Sequence, residues 1–150
     1  MNKRIKSTAL AAFVLGLAPG LTVVAVSDFN YANEIWEQLD YYSNQRDLDN
    51  YSVRNFVLGK LSDDESDFWT FHLTRNTDYT IVGVCDTDCT DVDIIVTDED
   101  GREIVRDTLV NDHPIVSFRP RYSGTYEVEV KMYSCNVDSY CYWGMGIYSR

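Results

Sequence analysis

The aspartates around one cysteine pair are where this chain has the means for chemistry. From Cys85 to Gly101 it reads C-D-T-D-C-T-D-V-D-I-I-V-T-D-E-D-G, with six aspartates in seventeen residues. Calcium takes roughly six to eight oxygen ligands, and Asp86, Asp88, Asp91 and Asp93 would supply several of them. Alternation along a strand puts Asp91 and Asp93 on one side. A Cys85–Cys89 disulfide would hold Asp86 and Asp88 nearby. The competing reading is a solvated acidic loop whose repulsion is screened by salt and water. Asp98-Glu99-Asp100-Gly101 fails as an EF-hand, because Val96 falls at the first ligand position and Asp107 at the twelfth. It reads as a hairpin turn with Gly101 supplying a positive φ.

Hydrolysis has little to work with. The two histidines are His72, expected to point outward from a strand, and His113, before Pro114 in a turn. Serine catalysis needs such an imidazole bonded to a nucleophile on a strained turn, and no G-x-S-x-G is present. A glycosidase needs two carboxylates across a cleft; acidic residues are so abundant that any pair could be nominated. A hydrolase is therefore the minor alternative. The aromatic residues near the C-terminus, Tyr133, Tyr140, Tyr142, Trp143 and Tyr148, offer another chemistry. Outward tyrosines such as Tyr140, Tyr142 and Tyr148 would stack on sugar rings, although strands and cores use tyrosine freely.

Four cysteines, Cys85, Cys89, Cys135 and Cys141, suggest two disulfides and an oxidising compartment. Two local clips, Cys85–Cys89 and Cys135–Cys141, are favoured, each contributing roughly 2 kcal/mol on chain-entropy grounds. A long-range Cys89–Cys135 link, at about 4 kcal/mol, stays open because the two loops are expected at one end of the fold. A four-cysteine zinc site is the weaker idea, since the spacings lack paired C-x2-C knuckles.

The elements that position these groups begin after a leader. Lys3, Arg4 and Lys6, an apolar run from Thr8 to Leu17, the Pro19-Gly20 break and small residues at Ala25 and Ser27 fit a signal peptide over residues 1–27. The rival, an uncleaved anchor, is disfavoured by the Pro-Gly break. Cleavage leaves 123 of the 150 residues, one domain's worth. The leader holds three of 13 basic and none of 24 acidic residues, so the remainder has ten against 24, a net of −14. Such a balance repels nucleic-acid phosphates and anionic lipid. It suits a soluble secreted or periplasmic protein, a cation binder, or a partner with a basic face.

Residues 28–52 read as a helix and a polar joint. Phe29, Ala32, Ile35, Trp36 and Leu39 form an apolar stripe over Asp28 to Asp47, with Asp28 as N-cap, suited to docking on the domain C-terminal to it. Asn50-Tyr51-Ser52 matches a glycosylation sequon. From Val53 the period becomes two. Candidate strands are Val53–Lys60, Asp67–Leu73, Tyr79–Cys85, Val92–Thr97, Glu103–Asp107, Ile115–Phe118, Gly124–Tyr133 and Cys141–Tyr148. One apolar face runs through Trp69, Phe71 and Leu73; Val82 and Val84; Val92, Ile94 and Val96. It continues through Tyr126, Val128, Val130 and Met132 to Trp143, Met145 and Ile147. Glu127, Glu129 and Lys131 take the wet side. The fold class is all-β: a jelly-roll-like antiparallel β-sandwich of about eight strands over residues 53–150, behind one N-terminal helix.

Several segments resemble the bacterial pre-peptidase C-terminal domain family. Gly59-Lys60-Leu61-Ser62-Asp63-Asp64-Glu65-Ser66-Asp67-Phe68-Trp69-Thr70-Phe71 is similar to the family's opening motif, and Tyr79-Thr80-Ile81-Val82 to its second core strand. Asp91-Val92-Asp93-Ile94 matches a D-x-D step, Asp98-Glu99-Asp100-Gly101 a hairpin, and Ser123-Gly124-Thr125-Tyr126-Glu127-Val128-Glu129-Val130 the closing strand. The resemblance covers about residues 53–148 and implies a small jelly-roll module with roles in secretion, folding or binding rather than catalysis. No peptidase domain precedes it here, and the two cysteine clips are not general to the family; both departures suggest a stand-alone module. The expectation is a secreted, non-enzymatic binding or stabilising domain for an extracellular protein or glycan, with calcium as its candidate cofactor. Carbohydrate recognition by the C-terminal aromatics is the alternative.

Overall fold

The computed structural model describes residues 26–45 and 48–150; the expected leader lies outside them apart from its last two residues. One helix, α1 (Val26–Gln45), and a 3-10 turn (Leu48–Asn50) precede eight strands. These are β1 (Ser52–Leu61), β2 (Ser66–Leu73), β3 (Tyr79–Cys85), β4 (Cys89–Asp98), β5 (Glu103–Asp107), β6 (Ile115–Phe118), β7 (Gly124–Cys135) and β8 (Cys141–Ser149). α1 is already helical at Val26, so Asp28 lies inside it rather than capping it.

The strands form two four-stranded sheets, ordered β1-β8-β3-β6 and β2-β7-β4-β5, with every pairing antiparallel. Consecutive strands alternate between the sheets except where a hairpin joins β4 to β5. This is the jelly-roll order of a two-sheet sandwich. Turn chemistry marks the corners: Gly101 takes φ +75° in the β4–β5 hairpin. There the Asp98 carboxylate accepts from the amides of Asp100 and Arg102 at 3.1 and 2.9 Å.

The sandwich interior holds Val57, Ile81, Val92, Ile94, Val96, Val128, Val130, Met132, Trp143, Met145 and Ile147. In β7 the alternation works as expected: Tyr126, Val128, Val130 and Met132 are buried while Glu127 is exposed. Two inward assignments are corrected. Val82 and Val84 turn their backs on the interior and join Ile35, Leu39, Leu48, Tyr142 and Tyr148 in a second apolar cluster beneath α1. The interior face of β3 is instead Tyr79, Ile81 and Cys85. Every residue of β3 and of β8 is buried, one face by the opposite sheet and the other largely by the helix. Trp69 is the second correction. It shares a face with the buried Val128 across the β2–β7 pair, yet stays 38% exposed. β2 is an edge strand, so the interior is only partly closed over it.

α1 docks as the stripe requires, through Ile35 and Leu39, but Trp36 lies outside the contact and is exposed. Burying those two side chains stabilises the docking by roughly 1.5–3 kcal/mol each. The approach is close because of Gly144: a Cβ there would collide with Ile35 Cγ2 and stand 3.3 Å from Leu39 Cδ1. Trp36 instead meets the exposed Phe56 edge-on at 5.1 Å.

Candidate functional site

Both cysteine pairs close at one end of the sandwich. Cys85 ends β3, Cys89 starts β4, Cys135 ends β7 and Cys141 starts β8. The bonds are Cys85–Cys89 and Cys135–Cys141, with Cα separations of 5.9 and 5.8 Å. The two loops do share an end: Cys89 and Cys135 lie directly opposite each other across β4 and β7. Disulfides persist in oxidising compartments, so the chain is extracytoplasmic. No helix among the described residues is long and apolar enough to cross a membrane.

The loop between Cys85 and Cys89 is held from three sides. The Asp86 carboxylate accepts from the amides of Tyr142 and Asp88 at 2.8 and 3.2 Å. The Asp86 amide donates to the Tyr142 carbonyl at 3.0 Å, and the Asn136 amide donates to the Asp88 carbonyl at 2.9 Å. From the helix, Gln38 Nε2 donates to the Cys85 carbonyl at 2.8 Å. The Tyr31 hydroxyl donates to Asp88 Oδ2 at 3.3 Å. A cleft of about 200 Å³ is lined by Tyr31, Asp86, Asp88, Tyr140 and Tyr142. An open depression of about 450 Å³ also borders Asp86 and is lined by Glu34, Glu37, Tyr41 and Asp112.

The charges of this rim oppose one another. Burial raises the Asp86 carboxyl above the ordinary carboxylate range, and the charge of Asp88 adds to it against the bonds from backbone amides. Glu34 is raised by burial first and then by Asp86. The Tyr31 hydroxyl is raised chiefly by the charge of Asp88. Among the described residues no ion pair reaches Glu34, Asp86 or Asp88.

The four candidate calcium ligands do not come together. Asp86 and Asp88 belong to the rim beneath α1, whereas Asp91 and Asp93 lie on the outer face of the other sheet. Asp91 accepts from the Asn111 amide at 3.3 Å, and Asp93 stands opposite Lys131 across β4 and β7. Among the described residues no three His, Cys, Asp or Glu side chains are grouped to hold a metal ion. Asp86 is also committed, since its two oxygens accept backbone amides. The residues do not fit a shared calcium site.

The aromatic platform is corrected as well. Tyr142 and Tyr148 are only 5% and 6% exposed, packed under the helix. Tyr142 stacks on Tyr31 at 4.8 Å. Tyr140 is exposed, but Lys60 Nζ lies 4.4 Å from its ring centre and 4.5 Å from that of Tyr142. These tyrosines therefore offer no free paired face to a sugar ring. The sequence pattern missed the reason, since β8 is apolar on both sides and only the docked helix decides which side is dry.

Among the described residues neither histidine is hydrogen-bonded to a serine or threonine hydroxyl. His72 is exposed and lines a cleft of about 480 Å³ with Thr70, Thr77 and Ser149. Its serine is turned elsewhere: Ser149 Oγ accepts from Arg54 Nε at 2.6 Å. His113 Nδ1 meets Asp112 at 2.6 Å, and its ring stacks on Tyr42 at 4.8 Å.

No family model and no curated protein matches this chain. Solved structures resemble it in shape. The pre-peptidase C-terminal domain of a collagenase from Bacillus anthracis is 14% identical with a TM-score of 0.51, over 63% of this chain and 89% of that one. PliG from Aeromonas hydrophila, a periplasmic inhibitor of g-type lysozyme, is 11% identical with a TM-score of 0.48, over 64% and 85%. The first likeness shows that this chain has the pre-peptidase C-terminal domain fold.

Proposed function

We propose that this protein is a secreted or periplasmic, non-enzymatic binding module whose acidic disulfide rim takes a basic protein partner. The observation that carries this is the crowding of Glu34 and Asp86, both raised by burial and by neighbouring carboxylates, beside Asp88, with no ion pair to any of the three among the described residues. A lysine or arginine from outside would relieve that repulsion. Complementary charge of this kind speeds encounter and selects partners. The exposed Tyr41 and Tyr140 at the edges supply flat contact area of the sort interfaces favour. A non-enzymatic role is supported by His72 and His113, neither of which hydrogen-bonds a serine, threonine or cysteine side chain among the described residues.

The test uses a fluorescent lysine-rich decapeptide and anisotropy at low and physiological salt. Replacing Glu34→Gln with Asp88→Asn should weaken binding about fivefold or more, in line with losing two rim contacts of ~0.5–1 kcal/mol each. A control pair at the other end, Glu99→Gln with Glu127→Gln, should change it little. Equal loss from both pairs would mean diffuse attraction to an acidic protein and would refute the rim as the site.

A further inference from the structure

At the end of the sandwich away from the cysteines the two sheets part along one side. β1 and β2 are the edge strands there, paired only with β8 and β7. Between the start of β1 and the end of β2 lies the cleft of about 480 Å³ that His72 borders. Its floor is apolar: Phe71, Leu73, Tyr79 and Ile147 line it, and each belongs to the sandwich interior or packs against it. In a chain with 24 acidic residues, no aspartate or glutamate among the described residues lines this cleft. Asp78, between the lining Thr77 and Tyr79, is held by Arg119 at 2.7 Å and Arg150 at 3.4 Å.

The permanent charge in the lining is Arg54. It sits on a bulge: Val53 faces Tyr148 and Asn55 faces Ile147, so Arg54 has no opposite residue in β8. A bulge on an edge strand re-aims its side chain, and here Arg54 Nε donates to Ser149 Oγ at 2.6 Å. Ser149 is 1% exposed, so a buried hydroxyl anchors the guanidinium. Among the described residues Arg54 forms no ion pair. Its Nη groups remain, an end-on fork that matches a carboxylate. The Tyr79 hydroxyl accepts from the Thr74 amide at 3.1 Å, tying down the β2–β3 loop at the cleft's end.

We infer that this cleft binds a small monocarboxylic acid with an apolar body, its carboxylate on Arg54 and its body over Phe71, Leu73 and Ile147. Each feature selects one property of the ligand. A guanidinium with no competing carboxylate selects a negative charge, and the apolar floor selects a body without polar groups. A second carboxylate would find no partner in a chain of formal net charge −11. Short fatty acids carry this chemistry, and so does the C-terminus of a peptide ending in an apolar residue. The cleft lies at the other end from the acidic rim and is independent of it, so either can fail while the other stands.

Amide shifts of the protein, titrated with hexanoate and with N-acetyl-leucine, test this and separate the two sources. At least one should bind saturably with a Kd of about 1 mM, within reach of a ligand this small. The changes should fall at Asn55, at Phe71 through Leu73 and at Ser149. A preference for hexanoate marks a fatty acid, and one for N-acetyl-leucine a peptide end. The corresponding amides lack the charge, while adipate and N-acetylglutamate carry a second one; each should bind at least about fivefold more weakly. Arg54→Gln should cost about tenfold, whereas Arg121→Gln, at an exposed arginine outside the cleft, should cost less than about twofold. No saturable change with either ligand up to about 10 mM would overturn the assignment. So would amides or dicarboxylates binding as tightly as the monocarboxylates, or equal losses from the two arginine variants. The ligand comparisons use the wild-type protein, so they decide the matter even where Arg54→Gln lowers the melting temperature.

Discussion

Replacing Asp93 with asparagine should stabilise this protein at neutral pH. Asp93 is 8% exposed, and its carboxyl is pushed up to about 6 from 3.8, by burial first and by the charge of Asp91 second, with Lys131 only partly offsetting them. A folded-state value above the unfolded one means that folding holds the proton more tightly. The contribution of this one group to stability is therefore fully present below about 4 and is lost as pH rises through the interval from 3.8 to about 6. Each tenfold in proton affinity is ~1.4 kcal/mol, so the ionised group costs up to about 3 kcal/mol at pH 7.5. Asparagine keeps the shape and removes the charge. Urea unfolding of Asp93→Asn should show a gain of about 2–3 kcal/mol at pH 7.5, shrinking below about 1 kcal/mol at pH 4. Comparison with wild type at each pH cancels the other carboxylates. A gain that is the same at both pH values, or a loss at pH 7.5, would show that the Asp93 charge does not destabilise the folded protein.

Other outcomes rest on the same contacts. Gly144→Ala places a methyl group against Ile35 and Leu39; it should destabilise by about 1–3 kcal/mol and expose Tyr142 and Tyr148 to iodide quenching, with unchanged quenching as the contrary result. Removing Cys85 and Cys89 together should cost about 2 kcal/mol in chemical denaturation and loosen the Asp86–Asp88 loop, seen as faster amide exchange at Asp88 and Cys89. Unaltered exchange there would show that the hydrogen bonds to Tyr142 and Asn136 suffice without the disulfide.

Much of the fold was legible because most strands are wet on one side. β7 alternates Tyr126, Val128, Val130 and Met132 with charged residues, and this fixes both its period and its inward face. The short local loops likewise pointed to the observed cysteine pairing. Legibility ended where both sides of a strand are dry. β3 reads Y-T-I-V-G-V-C, apolar in either register, so nothing local says that Val82 and Val84 face α1 rather than the opposite sheet. Tyr142 and Tyr148 were misplaced for the same reason. Trp69 failed differently: its face was right, but how far an edge strand is covered depends on the other sheet. The acidic rim was half visible, in Asp86 and Asp88. Its other half, Tyr31 and Glu34, comes from a helix more than fifty residues away in sequence. The docking of Gly144 beneath Ile35 sets that meeting, and no spacing rule encodes it.

Backbone amide shifts recorded while a lysine-rich peptide is titrated in test the binding claim at its root. Changes should concentrate at Glu34, at Asp86 through Cys89 and at Tyr140 through Tyr142. Changes spread evenly over the acidic surface, or gathered on the outer face around Asp91 and Asp93, would contradict it.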